Sequence, residues 1–289
     1  MGDLRPPARR AGGLRHRTQG FERRYELDRR RLNQRRRPEL DFDDLIYGIH
    51  AIAEALLGGE RLRVIHVLAD RKKDAALRSL LAQAKERDVP VRFEQRGFFE
   101  RVPLRAHQGV LAVAPPFPYR TLDELLAAPS AGGARLFVVL DHLTDPHNVG
   151  AIVRTAEAAG AGGLILPERR SAGINATVRK AASGAAAHLP IARVSNVSEA
   201  IRTLKKAHIW VAGADAGPEA TLLWEADLNR DLALVLGSEG SGLAQLVRRE
   251  CDFLLRIPMR GRVGSLNASV AAAVVIYEAL RQRECSLRP

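Results

Sequence analysis

Short apolar runs alternate with helical patterns over residues 136–280, and this alternation narrows the possible folds more than any other feature. Leu136–Leu140 is apolar at every position, as a strand buried on both faces requires. Runs at 163–166, 209–214 and 232–236 have the same character, and those at 191–194 and 253–257 are interrupted only by Arg193 and Arg256. Helical patterns follow or separate them at 148–160, 176–187, 197–207, 243–251 and 270–280. This order predicts an α/β domain over 135–289, its parallel strands joined by right-handed crossovers. No period of about 20–50 residues repeats, which excludes a solenoid.

Upstream, residues 44–114 read as a smaller α/β unit. A helix is expected over 46–57, with Ile49, Ile52, Ala53 and Leu56 on one face. Strands are expected at 64–69, 89–94 and 110–114, an amphipathic helix at 74–87 and a short helix at 98–102. His50, His66 and His107 are scattered through this unit and form no nucleophile–base pair or metal cluster, so binding suits it better than catalysis. Residues 115–134 carry four prolines, two glycines and one short helix, Leu122–Ala127, and read as a linker.

Charge points to the partner. Lys and Arg number 45 against 33 Asp and Glu, a net +12 with an isoelectric point near 10.5. Thirteen arginines and five acids put +8 of this charge in residues 1–40. That segment reads as a disordered or loosely helical basic arm, either a salt-sensitive hold on phosphates or a solubilising tail. The whole balance suits a nucleic-acid partner. Cys251 and Cys285 set no disulfide framework and no zinc spacing, so an intracellular, cytoplasmic protein is expected. The longest apolar run, 268–277, is shorter than the ~20 residues that span a bilayer, and no secretory leader is visible.

Three stretches share one design of strand, glycine or small-polar turn, and helix. The first runs from Leu140 through Asp145, Asn148 and Gly150 to Arg154. The second is Leu236-Gly237-Ser238-Glu239-Gly240-Ser241-Gly242-Leu243. The third begins at Ile257, passes Met259, Gly261 and Gly264, and ends on Ser265-Leu266-Asn267-Ala268-Ser269. All three turns follow strand ends, where parallel sheets bind ligands. In the third, Ser265, Asn267 and Ser269 can accept from the free amides of a helix start, and the glycines let backbone approach a ligand. Taken singly, each is also what a tight turn or a helix cap looks like. The spacing of Gly237, Gly240 and Gly242 is not the dinucleotide fingerprint, and no Walker A sequence occurs. His142, His147 and His188 supply no metal-ligand set.

Together the three stretches resemble the signature motifs of the SpoU (TrmH-type) RNA 2′-O-ribose methyltransferases of the SPOUT superfamily. Asp145-Pro-His-Asn-Val-Gly-Ala-Ile-Val-Arg154-Thr matches the first, 236–243 the second and 257–269 the third, in the family's order. The resemblance spans roughly residues 44–284 and is strongest to bacterial members that methylate a guanosine ribose in 23S rRNA. Residues 44–114 are similar to the family's L30e-like substrate-binding domain. Ala268 stands where the family commonly has Val, and the arm at 1–40 falls outside the pattern.

The resemblance implies a trefoil knot in the parallel-sheet domain, S-adenosylmethionine as cofactor, a homodimer, and RNA as substrate, without a metal. Matching positions make Gly237, Ile257 and Leu266 cofactor contacts, with Gly213, Leu236 and Met259 nearby. They place Arg154 at the reaction, with Asn148, Glu239, Ser265 and Asn267 around it. Arginine stays protonated at any ordinary pH, so Arg154 is expected to orient the ribose hydroxyl and a phosphate rather than to act as base. A tRNA substrate, or a non-catalytic RNA-binding or ribosome-assembly role on the same fold, are the alternatives.

Overall fold

The computed structural model describes residues 44–286 apart from 73, 103, 105 and 130–132. The arm expected at 1–40 lies outside the described residues.

The smaller sheet has strands β1 (Leu45–Tyr47), β2 (Val64–Leu68), β3 (Val91–Glu94) and β4 (Val110–Val113), in the order β1-β4-β2-β3. Helices α1 (Ile49–Leu57) and α2 (Ala75–Glu86) bury Ile49, Ile52, Leu56, Leu77 and Leu80 against Ile65 and Val67, while the short α3 (Arg96–Phe99) buries Phe99. The helix expected from residue 46 starts later. Leu45–Tyr47 pairs antiparallel with β4 and is fully buried. Gly48, at φ 86°, takes a conformation closed to most residues and turns the chain into α1.

The larger sheet has seven strands: β5 (Leu136–Leu140), β6 (Gly163–Pro167), β7 (Ile191–Val194), β8 (Trp210–Ala214), β9 (Thr221–Leu222), β10 (Leu232–Leu236) and β11 (Phe253–Arg256). Their order is β7-β6-β5-β10-β8-β11-β9, and every neighbouring pair is parallel. Strand alternation sorts the side chains into two cores. Leu136, Val138 and Leu140 join Leu232, Leu234 and Leu236 beneath α5 (Pro146–Ala158), α6 (Ala176–Ala181) and α9 (Ala268–Ser286). Phe137 and Val139 join Ala233 and Val235 beneath α4 (Leu122–Ala127), α7 (Val197–Lys206) and α8 (Gln245–Glu250). Strand β9 is too short to show as an apolar run.

Three further expectations change. The segment 120–127 is not a free linker: Arg120 bridges Ala192, and Leu125 of α4 is buried with Phe137. Thr121 and Glu124 close a reciprocal capping box at the start of α4. The helix expected over 176–187 breaks after Ala181, because Ser183 (φ 51°) and Gly184 (φ 98°) are left-handed, and resumes as a 3-10 turn. A Cβ on Gly184 would lie 2.2 Å from Cβ of Glu54, so the two sheet units pack too closely there for another residue. Helix α9 runs past the apolar stretch to Ser286, held by Arg283, which donates to the carbonyls of Ala134, Arg135 and Arg230.

Gly150 of the first motif is a packing residue. It is buried in α5, and a Cβ there would meet Cβ of Ala181 at 2.4 Å and the Val178 carbonyl at 2.7 Å. Gly150→Ala should therefore destabilise the fold by about 1–3 kcal/mol, despite the better helix propensity of alanine. Urea unfolding measures this; an unchanged or raised midpoint would contradict it.

Candidate active site

The carboxyl ends of β8, β10 and β11 carry the loops that surround one hollow of about 520 Å³. Its walls include Leu236, Gly237, Glu239, Ile257, Met259, Ser265, Leu266 and Asn267. The turn 237–242 forms one side. It closes on itself through paired backbone bonds between Ser238 and Gly242, at 3.1 and 3.0 Å. A Cβ on Gly237 would lie 2.2 Å from the Gly242 carbonyl carbon, so this glycine is required by close approach. Gly240 (φ 86°) and Gly242 (φ 65°) are required by conformation instead.

The third motif supplies the opposite side. Asn267 caps α9: its Oδ1 accepts from the amides of Ser269 (3.0 Å) and Val270 (3.3 Å). Its Nδ2 donates to Glu239 and to Oδ1 of Asn148, the latter at 3.0 Å. Glu239 Oε1 also accepts from Asn148 Nδ2 (2.8 Å) and the Ala268 amide (3.2 Å). One carboxylate oxygen thus gathers a side chain from each of the other two motifs and the first amide of α9. A negative charge there also complements the positive end of that helix dipole. The helix served is α9, distant in sequence from Glu239.

Sequence reasoning named eleven site residues, and the structure separates them. Leu236, Gly237, Ile257, Met259, Leu266, Glu239, Ser265 and Asn267 line the hollow. Asn148 stands behind it, tied in by Glu239 and Asn267. Gly213 does not line it. Strand alternation aims this position at the opposite core, where a Cβ would meet side-chain atoms of Leu243 and Cys251 at 2.7 and 2.9 Å. Its neighbour Ala214 lines the hollow instead. Arg154 also stands outside: it is exposed on α5, and Nη1 donates to Ser183 Oγ at 3.4 Å. Six residues of helix turn it about 240° from Asn148, so the two cannot share a face. The expected meeting of all three turns beside this guanidinium is not made within one chain.

Asp141 was missed. It is fully buried, accepts from the Ala244 amide at 2.7 Å and pairs with His142, anchoring the far end of the 237–243 turn. A lone carboxylate directly after the all-apolar Leu136–Leu140 run was the available signal. Cys251 lies nearby with its thiol pushed up to about 12 by burial, and so is unreactive at neutral pH. Among the described residues, no three His, Cys, Asp or Glu side chains group to hold a metal. No described helix is long and apolar enough to cross a membrane.

Removing the Glu239 carboxylate strands the donors it gathers. Glu239→Ala should cost about 0.5–1.5 kcal/mol and speed amide exchange at Ala268. Unchanged exchange at that amide would refute the tie.

Two family descriptions match the chain: the SpoU rRNA Methylase family over residues 135–277, and RNA 2′-O ribose methyltransferase substrate binding over 45–120. A tRNA/rRNA methyltransferase of Synechocystis, itself uncharacterised, is 44% identical over 83% of this chain, which spans 63% of that protein's length. A Bacillus subtilis protein, provisionally assigned as a TrmH family tRNA/rRNA methyltransferase, is 39% identical over 83% of this chain and 96% of its own. Among solved structures, the SpoU methyltransferase AviRb of Streptomyces viridochromogenes in complex with AdoMet superposes with a TM-score of 0.72 at 27% identity, covering 83% of this chain and 90% of AviRb. An AdoMet-bound rRNA methyltransferase of Sinorhizobium meliloti gives 0.69 at 25% identity, covering 82% and 86%. The motif order, the two-sheet architecture and these relatives agree: the chain belongs to the SpoU family of S-adenosylmethionine-dependent RNA methyltransferases.

Proposed function

We propose that the chain methylates the ribose 2′-hydroxyl of a guanosine in 23S rRNA, with S-adenosylmethionine seated in the hollow described above. The observation that carries this reading is the construction of that hollow. Its size lies within the ~300–1,000 Å³ usual for cofactor sites, its walls are apolar at Leu236, Ile257, Met259 and Leu266, and backbone turns line the rest. Met259 and Leu266 remain 37% exposed, as apolar residues awaiting a flat ligand would be. The rRNA substrate is favoured by the smaller sheet unit, which matches a substrate-binding description and gives folded RNA a second surface. Such a substrate would put the enzyme in the cytoplasm with the assembling ribosome.

The bound cofactor supplies an already activated methyl group. The chain's own task is to present the ribose hydroxyl and manage its proton. Glu239 holds Asn148 and Asn267 in fixed orientations, leaving Ser265 on the rim to meet the sugar. The Arg154 guanidinium stabilises the developing alkoxide, while the proton leaves to phosphate or water. Arg154 lies outside its own hollow, so a second copy supplies it. Helix α9 offers a surface for that copy: Val270 and Tyr277, seven residues apart on one face, are 48% and 47% exposed. The return of the chain from β11 at one side of the sheet to α9 beneath β5 and β10 supports a trefoil knot.

Transfer of tritiated methyl from S-adenosylmethionine to unmodified 23S rRNA and to tRNA, with mapping of the product, tests the substrate. Label on a guanosine ribose of 23S rRNA is expected; label on tRNA alone would reject it. Arg154→Lys, which keeps charge but loses the planar fork, should lower kcat about 100-fold. Near-normal turnover would defeat the orienting role. Val270→Asp should convert dimer to monomer in sedimentation equilibrium and abolish transfer; an active monomer would overturn the shared site.

A further inference from the structure

The two sheet units meet along a seam where α6 packs on β1 and the 3-10 turn at 185–187 packs on α1, and most charges there are paired. Arg179 of α6 is 4% exposed and pairs with Glu60, with its guanidinium also over the Phe117 ring. His188 stands 3.6 Å from Glu54. The next residue after Arg179 breaks the pattern. Lys180 is half-buried, and its ammonium lies 5.6 Å from the centre of the Tyr47 ring. It occupies the space that a side chain at position 48 would fill: a Cβ on Gly48 would be only 2.3 Å from Lys180 Nζ. Among the described residues no carboxylate lies within ion-pair distance of it, and the first turn of α1 carries no acid. Glu54 and Glu60, the seam's acids, are already engaged.

We propose that Lys180 is a binding residue for a backbone phosphate of the substrate RNA where it crosses from the smaller sheet unit to the methyltransferase unit. The inference rests on the RNA-methyltransferase reading and extends it to a position that none of the three motifs contains. Burial without a carboxylate partner lowers the lysine pKa, and an arriving phosphate would favour the charged form. The ring of Tyr47 and the bare face of Gly48 hold the ammonium in place beforehand, so less side-chain freedom is lost on binding. Ser183, three residues on, receives the side chain of Arg154. The segment 180–183 thus carries Lys180 at one end and touches the exposed Arg154 at the other. Phosphate is the anion that fits, since RNA offers one per nucleotide and reads as shape and backbone to such contacts.

The test compares Lys180→Met, which keeps the apolar stem over Tyr47, with Lys180→Arg, which keeps the charge. Binding of transcribed 23S rRNA to the full-length protein is measured across a KCl series, with S-adenosylmethionine affinity, melting temperature and methyl transfer measured alongside. Lys180→Met should weaken RNA binding about tenfold and reduce the salt slope by about one phosphate's worth, ~0.7–0.9, with cofactor affinity and melting temperature unchanged. Lys180→Arg should retain the slope. A wild-type slope in Lys180→Met, or equal loss in both variants with a fall in melting temperature, would overturn the proposal and leave a packing role. Failure of the substrate assignment looks different: the wild type would bind this RNA without methylating it, while the slope difference between variants would still decide the role of Lys180.

Discussion

One carboxylate oxygen organises the site. Glu239 projects from a turn that glycines make possible and accepts from Asn148, Asn267 and the Ala268 amide. These three donors come from segments more than ninety residues apart at the extremes of the domain. Without the acceptor, Asn148 Nδ2 and the Ala268 amide would lose their partner, Asn267 Nδ2 would keep only its bond to Asn148, and the start of α9 would lose a complementary charge. The geometry of the hollow is therefore a consequence of one polar contact set on an otherwise apolar frame. Asp141 does similar work from below, buried at the end of β5 and holding the Ala244 amide.

The frame explains why that contact forms. Parallel strands buried on both faces put their carboxyl ends at one edge, so turns distant in sequence emerge side by side. Alternate side chains of β5, β6 and β10 feed two separate cores, which fixes strand register and with it the height of each turn. Close packing of α5 on α6 at Gly150 then sets where Asn148 can stand. The same packing leaves Arg154 on the exposed side of α5, away from the hollow of its own chain, which is why a second copy is proposed to supply it.

Much of this was legible in the residues. All-apolar runs revealed the long strands of the larger sheet, because burial on both faces leaves no polar alternation to confuse with a helix. The turns announced themselves through Gly237, Gly240, Gly242 and the crowded polar residues of 265–269. Other features depend on tertiary partners and leave no local mark. Leu45–Tyr47 looks like the first turn of a helix until β4 lies beside it. The helix over 176–187 is interrupted because Glu54, from the other sheet unit, leaves room only for Gly184. Gly213 matched the family's pocket by position, yet strand alternation aims it at the other core. Arg154 was placed correctly on its helix, but a motif does not record which way its helix faces.

The most direct test is a crystal structure of the full chain grown with S-adenosylmethionine. The expected result is density for the cofactor between the 237–242 turn and residues 264–267, with Glu239 still accepting from Asn148, Asn267 and Ala268. Density at another place, or a turn rebuilt so that Glu239 has left the start of α9, would contradict it.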